Sequence, residues 1–192
     1  MPLKKIYLPN QCYFVTTNIA DRKWVFGELK NGLYAPNDKL CQIIVEVLNF
    51  TRDKFNFLLH GFVIMPDHLH LILTIAGDKS PATRGTESNR SKRVGGDSFP
   101  PITGDISQIM HAIKGRSARL INKELGKLGR FWQEDFYEHG IRNDQDFEEK
   151  LNYIHWNPVK VNLAKEPSDF KYSSYRNYFL NDQSIIEIDI ID

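Results

Sequence analysis

Two histidines stand one residue apart in the stretch "MPDHLHLIL", residues 65–73, within an apolar run that follows a Pro-Asp pair. On a β-strand alternate side chains share a face, so His68 and His70 point the same way while Leu69 and Leu71 point into the core. Neutral imidazole is a good ligand for divalent metals. The pair therefore indicates either part of a metal site, with a third ligand from another segment, or two hydrogen-bonded or solvated residues on the polar face of a strand.

A second group of residues with chemical potential lies in "LNYIHWNPVK", residues 151–160. On a helix, Leu151 and Ile154 form the apolar face, and Tyr153 and Asn157 lie one turn apart on a different side. A tyrosine oxygen is a nucleophile, and an amide oxygen could complete a metal site. Tyr153 could equally be a half-buried packing residue, and Asn157 a helix C-terminal residue before proline. Other tyrosines compete for any catalytic role: Tyr137, Tyr172, Tyr175 and Tyr178.

Length and composition are those of one globular domain, and we expect residues 1–192 to form it. Hydrophobic residues make up 41% and charged residues 26% of the chain, and the longest apolar runs have the length of strands. We therefore expect no membrane span, and the N-terminal segment lacks the pattern of a secretory signal. Cys12 and Cys41 have neither metal-binding nor redox spacing, so a reducing cytoplasm is the expected location.

The elements that must position these residues follow from the apolar pattern. Residues 11–19 are β-branched and aromatic and predict a strand, and residues 36–54 predict an amphipathic helix. Residues 56–65 and 68–75 predict two strands joined at a Pro-Asp pair, which favours an antiparallel hairpin. Residues 77–101 are rich in Gly, Ser, Pro and Arg and predict a flexible loop.

The second half of the chain returns to helical spacing. Residues 105–127 predict a helix, residues 130–142 read as strand-like, and Asn143 or Asp144 can begin a last clear helix. That helix is expected to end near "NPVK", because Pro158 disfavours helix at the residue before it. Helices interspersed with strands, of which two are antiparallel, predict an α+β fold with helices on one face of an antiparallel sheet.

The order of these motifs resembles that of the single-tyrosine HUH transposases, and most closely the branch of REP-associated tyrosine transposases. The motifs are "GFVIMPDHLHLIL", a basic helix, "FWQEDFYEHGIRN", "YIHWNPVK" and "SSY". HUH denotes histidine, hydrophobic residue, histidine, which here are His68, Leu69 and His70. The resemblance covers nearly the whole chain except residues 77–101, and it implies a ferredoxin-like sheet.

The resemblance also implies a chemistry. His68 and His70 would bind Mg²⁺ or Mn²⁺ with Asn157 as the third ligand, and Tyr153 would attack a phosphate of single-stranded, hairpin-forming DNA. The product would be a 5′-phosphotyrosine and a free 3′-OH, which can later attack the linkage and rejoin the DNA. A monomer is favoured, and a homodimer is left open.

Positive charge clusters locally although the formal net charge is only +1. Between residues 105 and 130 basic residues outnumber acidic ones, which makes Lys114, Arg116 and Arg119 candidates for phosphate contacts, with Arg142 as a weaker one. The same side chains could simply form a solvated helix face.

Two other functions remain open at this point. A domesticated protein could bind DNA hairpins without cutting them, but it would have no chemical need for His68, His70 and Tyr153. A hydrolase of small molecules could use the same histidines, but it would need neither the tyrosine nor the basic helix.

Overall fold

The computed structural model describes residues 10–75 and 104–191, so the loop predicted at residues 77–101 lies outside the described residues. Within these ranges none of the helices is long and apolar enough to cross a membrane. The strands and helices, in chain order, are β1 (Cys12–Asn18), β2 (Gly27–Lys30), β3 (Leu33–Pro36), α1 (Asp38–Phe55), β4 (Phe57–Met65), β5 (His68–Ile75), α2 (Ile106–Leu125), β6 (Tyr137–Gly140), α3 (Asp144–Lys160) and α4 (Tyr175–Phe179).

Four strands form one antiparallel sheet in the order β4-β5-β1-β6. Leaving aside the small β2–β3 hairpin, the chain runs β-α-β-β-α-β, and the two central strands are the first and third of the four. This is the arrangement of a ferredoxin-like sheet. The predicted α+β fold with an antiparallel ferredoxin-like sheet is confirmed.

The two faces of the sheet are covered differently. Helices α1 and α2 pack on one face against alternating residues of β5, among them Leu69 and Leu71, and form the helical layer that the sequence predicted. Helix α3 covers the opposite face, where Ile154 packs with Phe14 and Ile72. The central strands carry buried apolar side chains on both faces, so both faces of the sheet must be covered. Helix α3 covers the second face.

The β4–β5 hairpin sets the direction of the histidines. Its turn is Pro66-Asp67, as predicted, and the pairing of Met65 with His68 continues as Val63 with His70. Because the leucines of β5 point to the α1–α2 layer, both histidines point to the side of α3.

Helix α3 begins where the sequence predicted and passes through its proline. The Asn143 side chain caps it by accepting a hydrogen bond of 2.9 Å from the backbone N–H of Asp146. The helix ends at Lys160, within "NPVK", but Asn157 is helical, so Pro158 does not stop the helix at the residue before it. Pro158 removes only the hydrogen bond to the Ile154 carbonyl, in the last turn, where the cost is smaller than in a helix interior.

Truncation of Ile154 should loosen α3 from the sheet, because this side chain is fully buried in the α3 layer. We expect Ile154→Ala to lower the free energy of unfolding by about 2–5 kcal/mol, through lost burial and the cavity left behind. Urea denaturation followed by circular dichroism measures it. Val161→Ala, at a position that is 53% exposed, is the control and should cost far less; equal losses would contradict the packing described.

Candidate metal and nucleophile site

The two histidines of β5 meet at their ring nitrogens on the α3 side of the sheet. Their Nε2 atoms are 3.1 Å apart, and the rings stand nearly perpendicular, with an interplanar angle of 82°. Both side chains are largely buried, as their position under α3 requires. The alternation of β5 therefore brings the pair together as the sequence indicated.

A hydrogen bond on the far side of each ring holds it in place. His68 Nδ1 lies 2.5 Å from Asp67 Oδ1, and because an ionised carboxylate only accepts, this nitrogen donates and leaves the His68 Nε2 lone pair free. His70 Nδ1 lies 2.7 Å from the Thr16 hydroxyl. When His70 donates to this hydroxyl, both Nε2 atoms present lone pairs to the same point, an arrangement that a cation stabilises.

The protonation of the site follows from burial and charge. Burial, with further contributions from His68 and from the Arg22 guanidinium, holds the pKa of His70 well below its usual range, so this ring is neutral at neutral pH. Burial alone would raise the pKa of Asp67, but its bond from His68 and the nearby Arg22 lower it overall. Arg22 Nε lies 2.9 Å from Asp67 Oδ2 and keeps this carboxylate ionised.

Helix α3 carries Asn157 and Tyr153, the amide and the phenol that the sequence predicted to lie one helical turn apart. The side-chain nitrogen of Asn157 lies 3.4 Å from His70 Nε2, and rotation of the amide by half a turn would place its oxygen there, since the two amide orientations are nearly isosteric. The Tyr153 ring centroid is 5.4 Å from that of His70, and the side chain is 40% exposed. Tyr153 is thus not a core residue.

The donor set fits a divalent cation. Two adjacent ligands of an octahedral ion with bonds of about 2.1 Å lie about 3 Å apart, close to the separation of the histidine nitrogens. Two imidazoles and an amide oxygen are suitable ligands for a divalent cation such as Mn²⁺ and leave positions open for substrate oxygens. Across residues 10–75 and 104–191 no cluster of three or more His, Cys, Asp or Glu side chains could hold a metal, so this mixed set depends on Asn157.

His68, His70 and Tyr153 open onto one cavity of about 360 Å³, here called the site cavity, whereas Asn157 is buried behind it and does not line it. Phe14 is its central aromatic residue, because the ring contacts those of His70, Tyr137 and Tyr153. Sequence reasoning missed most of its lining, since those residues are separated in the chain and meet only through strand pairing and α3. The full lining is Phe14, Thr16, Asn18, Arg22, His68, His70, Tyr137, Lys150 and Tyr153.

The basic residues predicted on α2 lie on the other side of the sheet from this cavity. Lys114 donates to the carbonyl oxygens of Glu134 and Asp135, at 2.6 and 3.2 Å, and burial lowers its pKa. The Arg116 guanidinium lies 3.9 Å from the centroid of the Phe50 ring of α1.

The remaining two predicted phosphate contacts are more open to solvent. Arg119 is exposed on α2. Arg142 precedes α3 and contacts the Asp146 carboxylate. The pKa of Asp146 is lowered to about 2, mainly by its hydrogen bond with His139 and to a smaller extent by that with Arg142. None of the four lines the site cavity, and contact with DNA stays a prediction for all of them.

Several known proteins are similar to this chain. A family model described as IS200-like transposase matches residues 99–157, the part that contains Tyr153 and Asn157. A REP-associated tyrosine transposase of Escherichia coli (strain K12) is 27% identical over 173 residues, which cover 90% of this chain and 81% of that protein. Over nine-tenths of its length, the chain is similar to this REP-associated tyrosine transposase.

Two further comparisons agree with this relationship. A protein of Haemophilus influenzae (strain ATCC 51907 / DSM 11121 / KW20 / Rd) is 28% identical over 160 residues, which cover 76% of this chain and 81% of that protein. The solved structure of a REP-associated tyrosine transposase bound to a REP hairpin superposes with a TM-score of 0.66 at 21% identity, over 100% of this chain and 99% of the other. The shared fold is therefore that of the transposase relatives.

Replacement of Asp67 should weaken metal binding without removing a ligand. Asp67→Asn loses the charge that orients His68 and favours its Nδ1 proton, and such a loss typically costs 10–100-fold, so we expect about 10-fold or more weaker Mn²⁺ binding. Titration calorimetry with Mn²⁺ measures it. Asp53→Asn, on the exposed side of α1, is the control. An unchanged affinity in Asp67→Asn would contradict this orienting role.

Proposed function

We propose that this protein cleaves and rejoins single-stranded DNA through a 5′-phosphotyrosine on Tyr153, with Mg²⁺ or Mn²⁺ held by His68, His70 and Asn157. One observation carries the proposal: the two Nε2 atoms, 3.1 Å apart, share a cavity with an exposed phenol whose ring is 5.4 Å from that of His70. A packing tyrosine would be buried, and a purely structural histidine pair would not need an open cavity in front of it.

Different residues of the chain have different roles in this reaction. His68 and His70, oriented by Asp67 and Thr16, would hold the cation with Asn157. When bound, the cation supplies a Lewis acid that polarises the scissile phosphate and stabilises the charge on its oxygens. The Tyr153 oxygen attacks the phosphorus and loses its proton to solvent, the bond from phosphorus to the 3′ oxygen breaks, and the 3′ oxygen takes up a proton.

Rejoining is the reverse of this step. A 3′-OH attacks the phosphotyrosine, the phosphodiester forms again, and Tyr153 recovers its proton. The covalent linkage conserves the energy of the phosphodiester, so the cycle requires no nucleotide hydrolysis. The site must therefore retain the cleaved strand, and two lysines beside Tyr153 are suited to this: Lys150 Nζ lies 5.7 Å from the Phe14 ring centroid, and Lys160 Nζ lies 5.3 Å from that of Tyr153.

Hairpin-forming DNA is the substrate class that the relatives suggest. The solved relative with the same fold is bound to a REP hairpin, and the Escherichia coli relative is named as a REP-associated tyrosine transposase. Phosphate contacts from the exposed Arg119 and Arg142 would position a stem without reading its sequence. The chain would act as a monomer, with a dimer as the other arrangement to distinguish.

A labelled DNA hairpin with a single-stranded flank tests this function. Incubated with the protein and Mn²⁺, it should give a covalent protein–DNA band on a denaturing gel that carries a label placed on the 3′ side of the cut. Chelation of the metal should prevent the band. Hairpin binding without any covalent band, with several different hairpin sequences, would instead support a domesticated binding protein.

A further inference from the structure

Tyr137 forms the wall of the site cavity that lies furthest from the histidines along the sheet. It pairs with Thr16, and Thr16 pairs with His70, so the three side chains share a face in one row across β6, β1 and β5. Two strand spacings separate the ends of this row, about 10 Å. Its ring is 57% exposed although it contacts Phe14, the aromatic residue at the base of the cavity, so it is available to a ligand.

Phe14 connects this wall with the reacting groups. Its ring stacks on that of His70 at 5.4 Å between centroids and meets the edges of Tyr153 and Tyr137 at 5.8 and 6.3 Å. Phe14 itself is only 5% exposed, so it packs against the surrounding rings and presents little surface to a ligand. The cavity thus has a buried aromatic base, and Tyr137 is an accessible aromatic ring on the side away from the metal ligands.

Positive charge lies next to this face. The Lys150 amine is 5.7 Å from the Phe14 ring centroid and lines the same cavity. Over the two described stretches of the chain Lys150 forms no ion pair, whereas Arg22 is already bound to Asp67. An accessible aromatic ring beside an uncompensated cation is the combination that proteins use for unpaired nucleotides.

We propose that Tyr137 and Lys150 form a subsite for one unpaired nucleotide adjacent to the scissile phosphate: the base stacks on Tyr137, and Lys150 binds a phosphate of that nucleotide. The subsite rests on the proposed function, since the histidine end of the cavity takes the reacting phosphate. The subsite would explain a preference for single-stranded DNA, because a base that is paired in a duplex cannot stack on Tyr137.

Binding measured without cleavage tests the subsite. In a Tyr153→Phe background, fluorescence anisotropy compares an eight-residue oligo-dT with an abasic strand of the same length, which has the same phosphates but no bases. The protein should bind oligo-dT more tightly. Stacking is worth about 1–3 kcal/mol per base, so Tyr137→Ala should weaken oligo-dT binding by about five-fold or more and leave abasic binding nearly unchanged.

Lys150→Gln should affect the two strands alike. It should weaken binding of both strands equally and reduce the salt dependence of log K by about 0.7, as expected for one lost phosphate contact on a single strand. Phe179→Ala, at an exposed aromatic position on α4, and Lys54→Gln, exposed on α1, are matched controls outside the cavity and should change neither affinity.

The subsite fails if Tyr137→Ala leaves the ratio of the two affinities unchanged, or if the protein does not prefer oligo-dT to the abasic strand. Either result overturns it even when the cleavage assay gives a covalent band. Conversely, loss of the oligo-dT preference in Tyr137→Ala supports the subsite, and a missing covalent band would then reject the cleavage chemistry alone.

Discussion

Tyr153→Phe should abolish the covalent protein–DNA band, because this change removes the attacking oxygen and keeps the ring in place. The ring contacts with Phe14 and His70 involve only carbon and nitrogen atoms of the rings and should persist. Loss of a nucleophile typically costs about 10³-fold or more in rate, so cleavage should fall below detection. The measurement is a time course of the denaturing gel assay with labelled hairpin DNA.

Tyr175→Phe is the matched control for this change. Tyr175 lies on α4 outside the site cavity, so removal of its hydroxyl should leave the covalent band intact. Hairpin affinity of Tyr153→Phe should stay within about two-fold of the unmodified protein, since a single surface hydroxyl contributes little to binding. An undiminished band in Tyr153→Phe would assign the nucleophile elsewhere, and Tyr137 would be the first candidate because it shares the cavity.

Loss of either histidine should remove metal dependence and cleavage together. His68→Ala and His70→Ala each leave two of three protein ligands, and a Lewis acid contributes several kcal/mol to such a reaction, so the cleavage rate should fall by about 10²-fold or more. Mn²⁺ titration calorimetry should show the binding heat disappear in the same variants. The two readouts together separate loss of the metal from loss of DNA binding.

Folding must be followed in these variants because both histidines are largely buried. Thermal unfolding establishes that the variants are folded at the assay temperature, and His111→Ala, an exposed histidine of α2, controls for loss of an imidazole as such. If folded His68→Ala and His70→Ala both cleaved hairpin DNA at the original rate, the histidine pair would have no part in the chemistry.

The sequence predicted the parts of the site that depend on local periodicity. Strand alternation placed His68 and His70 on one face, and the helical period placed Tyr153 and Asn157 one turn apart. Their meeting depends on how α3 crosses the sheet, which no local pattern determines. For that step the resemblance to transposases was needed.

The supporting residues could not be read from the sequence because they depend on register. Thr16 reaches His70 only because β1 pairs with β5 in this register. Lys150 and Arg22 lie outside residues 105–130, the basic segment of the sequence. Lys114 and Arg116, within that segment, contact other parts of the protein. The local excess of positive charge in the sequence therefore did not indicate which basic side chains line the cavity.

One missed element did have a signal. The β2–β3 hairpin turns at Asn31-Gly32, where both residues have positive φ, 52° and 77°. Asn-Gly between two short strands is the strongest local indication of such a turn, because these two residues tolerate the left-handed conformation best. The flanking strands have only four residues each, and this explains why their pattern did not stand out.

Mass spectrometry of the covalent product tests the central claim most directly. The product is digested with nuclease and then with protease, and the peptide that retains a nucleotide is sequenced. The proposal predicts a single modified peptide with the nucleotide on Tyr153, formed only when Mn²⁺ or Mg²⁺ is present. A nucleotide on Tyr137 or on any other residue, or the same product in metal-free solution, would contradict it.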